Sequence, residues 1–457
     1  MSEIPACEVT FHPHSYGDPA GRLFVWNGAL YRGIRREAAP LFRRLFADGV
    51  IQRLVDDGLL VDSAPTALRL EGFDLVVMHR QVAFASYPEE WCAMMLRDGA
   101  AMMLDLLERL AWHGLTLKDG HPWNVLYDGC RPVYVDLTSL AVLDDRPWPG
   151  YDSFRRFCAN PLTLMAAGHE RIARRLLPEY DGVRTSDVRA LTGRWNPLGT
   201  VAGLVRRHGA GAWQRAVRGR RHPRADAATS ESRRRHAAAR FAGRLRRRIL
   251  DIPVDGSRRE RPTAPLVAES SDDRATMLTL VRRVVTEMAP ASVLQALSSE
   301  SSGTVATGPG RPVVCFDPSP ARVTRLYREC LETSASVLPL VMDFTDPTPS
   351  RGLAAHWALP ATQRFQADMV LALGLGRYAV ERRLTLEHIA DALGDFSRRW
   401  VVIDFLPVSD DRGRAGSHGP WASLDDFVVV LKRRFRSIAT LLTDRNPDGP
   451  RLLLCEK

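Results

Sequence analysis

The stretch Leu117-Lys118-Asp119-Gly120-His121-Pro122-Trp123-Asn124 decides how this chain is read. Twelve residues beyond Asn124, the strand-like run Pro132-Val133-Tyr134-Val135 closes on Asp136. An aspartate, an asparagine five residues on and a second aspartate at the end of an apolar run have a joint chemical use. The first carboxylate can orient a hydroxyl and accept its proton. The amide oxygen and the second carboxylate are hard donors of the kind magnesium prefers. Lys118 strengthens the signal. Among 63 Lys and Arg residues only Lys118, Lys432 and Lys457 are lysines. Lysine is a compact point charge and arginine a rigid fork. A lysine beside a candidate catalytic carboxylate therefore reads as a clamp for an anion, with compositional drift as the plain alternative.

Upstream, Arg22–Trp26 and Ala29–Ile34 flank Asn27-Gly28, which predicts a β-hairpin with a tight turn. Apolar spacing predicts a helix over Pro40–Asp57 and a long one over Pro88–His113, ended by Gly114. Ala67–Leu70 and Phe73–Met78 read as a second strand pair turned at Glu71-Gly72. The methionines of the long helix (Met94, Met95, Met102, Met103) sit at helical spacing, which favours core packing over an adaptable surface. After the Asp119–Asn124 loop, Val125–Tyr127 and Val133–Val135 form a hairpin through Asp128-Gly129. A helical stretch over Tyr151–Glu179 follows. His121 is expected to brace the loop and Trp123 to pack beneath it.

A chain of 457 residues exceeds one ordinary core and suggests at least two domains. No run of about 18 uncharged apolar residues predicts a membrane span. The first residues lack the apolar core of a signal peptide. Seven scattered cysteines without a CxxC pair argue against zinc and disulfide frameworks, so a cytoplasmic, reduced protein is expected. The net charge of +10 is local. Arg206–Arg261 holds 18 arginines against five acidic residues, which leaves +13 there and −3 elsewhere. Such a segment is either a patch for phosphorylated ligands or a solvated helical linker. With only Trp213 and Phe241 as stacking surface, nucleic acid is not the expected partner.

The last region alternates helix and strand. Helices are expected over Asp272–Met288, Ser319–Glu332 and Leu386–Phe396. Strands are expected over Ser292–Leu294, Pro312–Phe316, Val337–Met342, Met369–Leu373 and Trp400–Phe405. A closing hairpin is expected from Phe435–Leu442 and Arg451–Cys455 through Asn446-Pro447-Asp448-Gly449. Alternation of this kind predicts a doubly wound parallel sheet. Asp317 ends the second strand, where a carboxylate can hold ribose hydroxyls. Asp343 ends the third. Each also has the ordinary reading of a helix cap.

Lys118–Asn124 resembles the catalytic loop of aminoglycoside phosphotransferases and small-molecule kinases, and Arg131–Asp136 their metal-binding strand. The resemblance implies a two-lobed kinase-like fold over residues 1–190, using ATP and magnesium. Asp119 would be the base, Asn124 and Asp136 the metal ligands and Lys118 the phosphate clamp. Kinases also use a lysine from the small lobe, which here has none. Arg32 is the nearest substitute, with Glu37 as its partner. Tyr87-Pro-Glu-Glu-Trp91, Gly114–Asp119 and Arg131–Asp136 also resemble bacterial two-domain proteins of the NoeA type, described as SAM-dependent methyltransferases. With Phe316-Asp317 and Leu340–Asp343, this implies a Rossmann-like methyltransferase domain over 265–457 that takes S-adenosylmethionine (SAM). The arginine-rich linker would occupy 191–264. The glycine-rich turn such enzymes need for close backbone approach is replaced by Gln295-Ala-Leu-Ser-Ser-Glu-Ser-Ser-Gly303, and Gly374–Tyr378 offers no acid or base.

The expected fold is thus α+β followed by α/β. Three functions stay open: phosphoryl transfer to a small-molecule hydroxyl in bacterial specialised metabolism, SAM-dependent methyl transfer, and a non-catalytic partner protein. The expected partner is a small-molecule substrate, with a protein partner open and no membrane.

Overall fold

The structure is a computed structural model. It describes residues 3–15, 17–146, 148–193, 227–254, 271–297, 310–355, 357–375, 384–405, 424–441 and 451–457. The chain divides into two units. One comprises Met1–Val82, Tyr87–Tyr127 and Pro132–Asp255; the other comprises Ala83–Ser86, Asp128–Arg131 and Gly256–Lys457. Trp213, the end of the Gln295–Gly303 turn beyond Leu297, residues 376–378 and the tail turn at 446–449 lie outside the described residues.

The first unit opens with β1 (Thr10–Phe11), β2 (Gly21–Trp26) and β3 (Ala29–Ile34). Asn27 and Gly28 turn the expected hairpin with φ of 48° and 74°, which the primed two-residue turn requires. Next come α1 (Ala39–Ala47) and α2 (Val50–Asp56). The single helix expected over Pro40–Asp57 is broken between them by Gly49 at φ 68°. β4 (Ser63–Pro65) and β5 (Leu75–His79) complete an antiparallel sheet in the order β1-β2-β3-β5-β4. The expected pairing of Ala67–Leu70 with Phe73–Met78 is reduced to one bridge, Leu70–Phe73. β5 pairs instead with β3 and β4. Val76 and Val77 are both buried, so this strand needs cover on both faces and takes an inner position.

Strand alternation sorts the side chains. Phe24 stacks on Tyr31 at 5.5 Å and packs with Ile4, Leu70 and Val76. The opposite face carries Leu23, Arg32, Val77, Leu30 and His79, because Arg32 pairs with Leu23 and Val77 and Leu30 pairs with His79.

Helix α3 (Ala93–Trp112) is buried over most of its circumference, and its methionines are mostly core, as expected. Pro88–Glu90 forms a separate 3-10 turn ahead of it. β6 (Leu115–Leu117) pairs with β9 (Leu140–Val142), and β7 (Val125–Asp128) with β8 (Arg131–Tyr134). The helical stretch after them contains α4 (Tyr151–Phe154), a π turn (Arg155–Ala159), α5 (Asn160–Ala166) and α6 (Glu170–Leu176), followed by α7 (Thr185–Thr192).

Part of the stretch read from the sequence as a linker belongs to this unit. α8 (Ala227–Leu250) lies along α3, with Ala238, Ala239, Ala242, Leu245 and Ile249 buried. Alanines permit close approach of the two helices. Arg246 pairs with Asp105 at 2.6 Å and Arg234 with Asp145 at 2.8 Å.

The second unit is a seven-stranded sheet. Its strands are β10 (Val293–Gln295), β11 (Val313–Asp317), β12 (Val337–Val341), β13 (Ala367–Ala372), β14 (Ser397–Phe405), β15 (Ser437–Leu441) and β16 (Arg451–Glu456). The order is β12-β11-β10-β13-β14-β16-β15. The first five are parallel, while β16 runs antiparallel to both β14 and β15. Helices α9 (Ser271–Met288), α10 (Pro320–Thr333), α11 (Ala361–Arg364), α12 (Leu386–Phe396) and α13 (Leu424–Leu431) accompany it. Every residue of β10, β11 and β12 is buried, as befits parallel strands covered on both faces. No described helix is long and apolar enough to cross a membrane.

Candidate functional site

Strand β6 delivers Lys118 and Asp119. Lys118 N donates to Ser139 O at 2.8 Å and Asp119 N to Ser139 Oγ at 3.3 Å. The loop is then locked by a backbone contact. A Cβ on Gly120 would lie 2.1 Å from Gly150 O, so only glycine fits. Ser153 Oγ accepts from Gly120 N at 3.1 Å and donates to Gly150 O at 2.9 Å. Trp123 meets Phe157, in the π turn, edge-on at 5.0 Å, so it packs against the loop's support as expected. π turns inside helices commonly serve such sites.

Hairpin β7–β8 brings Asn124 and Asp136 to the same place. Val135 N donates to Asn124 O at 2.9 Å, and Asn124 Nδ2 donates to the Tyr134 hydroxyl at 3.2 Å. Tyr134 is fully buried. Burial, then the Asp136 carboxylate, raise its pKa, against hydrogen bonds to Ser139 and Asn124, so it stays a neutral phenol. His121 feels the charge of both carboxylates, Asp119 and Asp136. Burial lowers its pKa although Asp119 and Asp136 pull it upward. Its Nδ1 is buried without a hydrogen-bond partner.

Arg32 reaches Asp136 from β3. Its Nη1 stands 3.0 Å from Asp136 Oδ1, 2.6 Å from Thr138 Oγ1 and 3.4 Å from Asp18 Oδ2. Asp136 Oδ1 also accepts from Thr138 N at 3.2 Å and lies 2.8 Å from Thr138 Oγ1. The expected Arg32–Glu37 pair does not form; Glu37 is exposed just before α1. Arg32 is a buried cation facing two carboxylates, and these satisfy it better than a solvated glutamate. Lys118 is exposed, and among the described residues its side chain has no hydrogen bond or ion pair. The structure therefore brings Asp119, Asn124, Asp136 and Arg32 together and leaves Lys118 at the rim.

Sequence reading missed Asp18, Thr138 and Tyr134. Tyr134 was visible only as one residue of an apolar run. Asp18 had as its only signal the turn-forming Asp-Pro pair before β2, where Asp18 Oδ1 accepts from Ala20 N at 2.9 Å.

A cation at Asp136 would compete with Arg32 and Thr138 for Oδ1, while among the described residues Oδ2 carries no hydrogen bond or ion pair. Among the described residues no group of three or more His, Cys, Asp or Glu is placed to hold a metal.

In the second unit, Asp317 closes β11 and Asp343 lies two residues past β12. Asp317 is 1% exposed; Arg322 Nε lies 3.0 and 2.8 Å from its two oxygens, and Ser319 N donates to Oδ1 at 2.7 Å. Ser319 in turn caps α10. Asp343 is half-buried and accepts from Thr345 N at 3.0 Å and Thr345 Oγ1 at 2.7 Å. The residues fit SAM in part: Asp343 is half-buried past the C-terminal end of β12, while Arg322 covers Asp317.

A doubly wound sheet in this strand order, closed by an antiparallel pair, is the methyltransferase variant of the Rossmann-like fold. No protein-family model matches the chain. It is similar to the nodulation protein NoeA of Rhizobium meliloti (strain 1021), 24% identical over 453 residues, which cover 93% of this chain and 92% of that one. Among solved structures it is similar to the SAM-bound magnesium protoporphyrin IX methyltransferase of Synechocystis PCC 6803 (14% identity, 58% of this chain and 98% of that one, TM-score 0.30). Another is the N-methyltransferase NodS of Bradyrhizobium japonicum WM9 (10% identity, 41% and 98%, TM-score 0.28). The fold class follows from the strand order itself.

Proposed function

We propose that this chain is a SAM-dependent methyltransferase, whose second unit holds the cofactor and whose first unit recognises a small-molecule substrate. The strand order of the second unit, with Asp317 and Asp343 at the C-terminal ends of neighbouring strands, carries this reading. Ligands of open parallel sheets bind at that edge. SAM supplies an electrophilic methyl group when bound. Asp343 would contact the adenine side of the cofactor. Asp317 would orient Arg322 and the start of α10, and would meet the ribose once Arg322 turns aside. Substrate positioning alone can carry methyl transfer, so the absence of an acid or base in the sequence after β13 does not weigh against it.

Calorimetric titration of the full chain with SAM and its demethylated product tests this. Binding that weakens in Asp343→Ala supports it. No binding by the unaltered chain, or binding indifferent to both Asp343→Ala and Asp317→Asn, refutes it.

A second reading has its own support. Asp119, Asn124 and Asp136 lie on one loop and hairpin beside a basic residue from the third strand, the layout of a kinase-like phosphotransferase. In that reading the first unit is a nucleotide-type site and Asp119 accepts the proton of a substrate hydroxyl. ATP turnover lost in Asp119→Asn, with SAM binding unchanged, would favour it.

A further inference from the structure

We infer that helix α8 docks an acidic helix of a partner protein through a stripe of arginines on its outer face. The inference is independent of what either unit's site binds. α8 buries one side against α3 through Ala238, Ala242, Leu245 and Ile249. The side turned away carries Arg233, Arg240, Arg244 and Arg247, all exposed. At about 100° per residue, these four fall within about 60° of one another around the helix axis. Along the axis they span about four turns, or about 21 Å.

The arginines of this helix fall into two sets. Those nearer the buried side are neutralised within the chain. Arg234 meets Asp145 at 2.8 Å, Arg246 meets Asp105 at 2.6 Å, and Arg235 meets Glu231. The four outer ones make no ion pair among the described residues, and Arg247 spends only Nε, on Gly243 O at 3.4 Å. Like charges four residues apart on a helix, as at Arg240 and Arg244, repel each other. The stripe therefore costs the isolated chain some stability, which an acidic surface laid on it returns.

Spacing selects the occupant. Arg233, Arg240 and Arg247 recur every seven residues, and Arg244 lies four beyond Arg240. That is the pattern by which one helix faces another. Carboxylates at the same intervals on a second helix climb at the same rise per residue and meet the guanidiniums in register. The band is also narrow. On both sides it gives way to the neutralised pairs of Arg234, Arg235 and Arg246, and Arg248 widens it only at its C-terminal end. It lacks the breadth of positive surface that a duplex or an anionic membrane engages. The stripe offers no aromatic ring to stack on bases and no long apolar chain to enter a bilayer.

The test titrates the full chain, at low ionic strength, with two alanine-based helical peptides of equal composition, about four heptads long. One carries glutamate at the first and fifth positions of each heptad; the other spreads the same glutamates over all faces. The expected result is about fivefold tighter binding of the striped peptide, weakened steeply by salt and about tenfold by Arg240→Gln/Arg244→Gln/Arg247→Gln. Circular dichroism checks that this variant keeps its helix content. Arg35→Gln/Arg36→Gln/Arg171→Gln removes the same charge from exposed positions elsewhere on the unit and should leave binding unchanged. Equal binding of the two peptides, or equal loss in the two triple variants, overturns the inference and leaves only the general attraction of a basic protein for acid. Failure to bind the striped peptide overturns it outright. A DNA duplex of about 20 base pairs, or phosphatidylserine vesicles, held more tightly than the striped peptide and released by the α8 variant, overturns the acidic helix in favour of nucleic acid or membrane.

Discussion

Replacing Arg32 by methionine isolates the electrostatic content of the first unit's site. Methionine keeps most of the apolar stem in a position that is 5% exposed, so packing changes little. The charge does not survive. Asp18 and Asp136 both reach the Thr138 hydroxyl, so they stand roughly 5 Å apart, where two charges at an effective dielectric near 20 repel by about 3 kcal/mol. Their side chains are 20% and 21% exposed, so solvent screens part of this. A net loss of about 2 kcal/mol is expected. Urea denaturation of the full chain, followed by tryptophan fluorescence, reads the loss as a lower midpoint of the first unit's transition. Asp18→Asn in the same background removes one of the repelling charges and should restore most of it. A double-mutant cycle across Arg32 and Asp18 therefore shows coupling above about 0.5 kcal/mol. An unshifted midpoint in Arg32→Met, or additivity in the cycle, would refute the buried network as described.

Gly120→Ala drives a Cβ to 2.1 Å from Gly150 O, a backbone clash that costs about 3 kcal/mol or unseats the Asp119 loop; a wild-type melting profile would contradict the close contact. His79 is held neutral, with its pKa lowered from 6.5 to about 3 by burial and then Arg32. The unfolded chain thus binds this proton more readily, and stability falls as pH drops below about 6.5, by up to about 1.4 kcal/mol per unit until the folded pKa is reached. His79→Gln should flatten that slope by one proton's share in urea midpoints compared at about pH 7 and about pH 5, and an unchanged slope would place the proton elsewhere. Lys118→Ala should leave stability within about 0.5 kcal/mol, since the side chain is exposed and, among the described residues, unpartnered. A larger loss in the same denaturation would mean that the lysine has a structural partner.

Local signals carried much of this molecule. Asn27-Gly28 dictated its hairpin because both turn positions need positive φ. The alternation of apolar runs dictated a parallel sheet, because strands buried on both faces need helices around them. Asp119, Asn124 and Asp136 were legible because a loop and a hairpin close in sequence bring them together. What surrounds them was not. Arg32 and Asp18 lie more than a hundred residues from Thr138, and nothing local shows that a strand face and a loop will aim at one hydroxyl. The arginine-rich stretch read as a solvated linker because its charge dominates its composition. Over 227–250 its alanines, spaced for a helix face, decide instead that it packs on α3. The same limit applies to Asp317. Its place at a strand end was readable, but only the folded chain sets Arg322 over it, since burial of a carboxylate demands a partner and Arg322 stands in the first turn of the following helix. Sequence thus determined which groups are present and which lie on short local segments. Tertiary structure decided which charges are spent on one another.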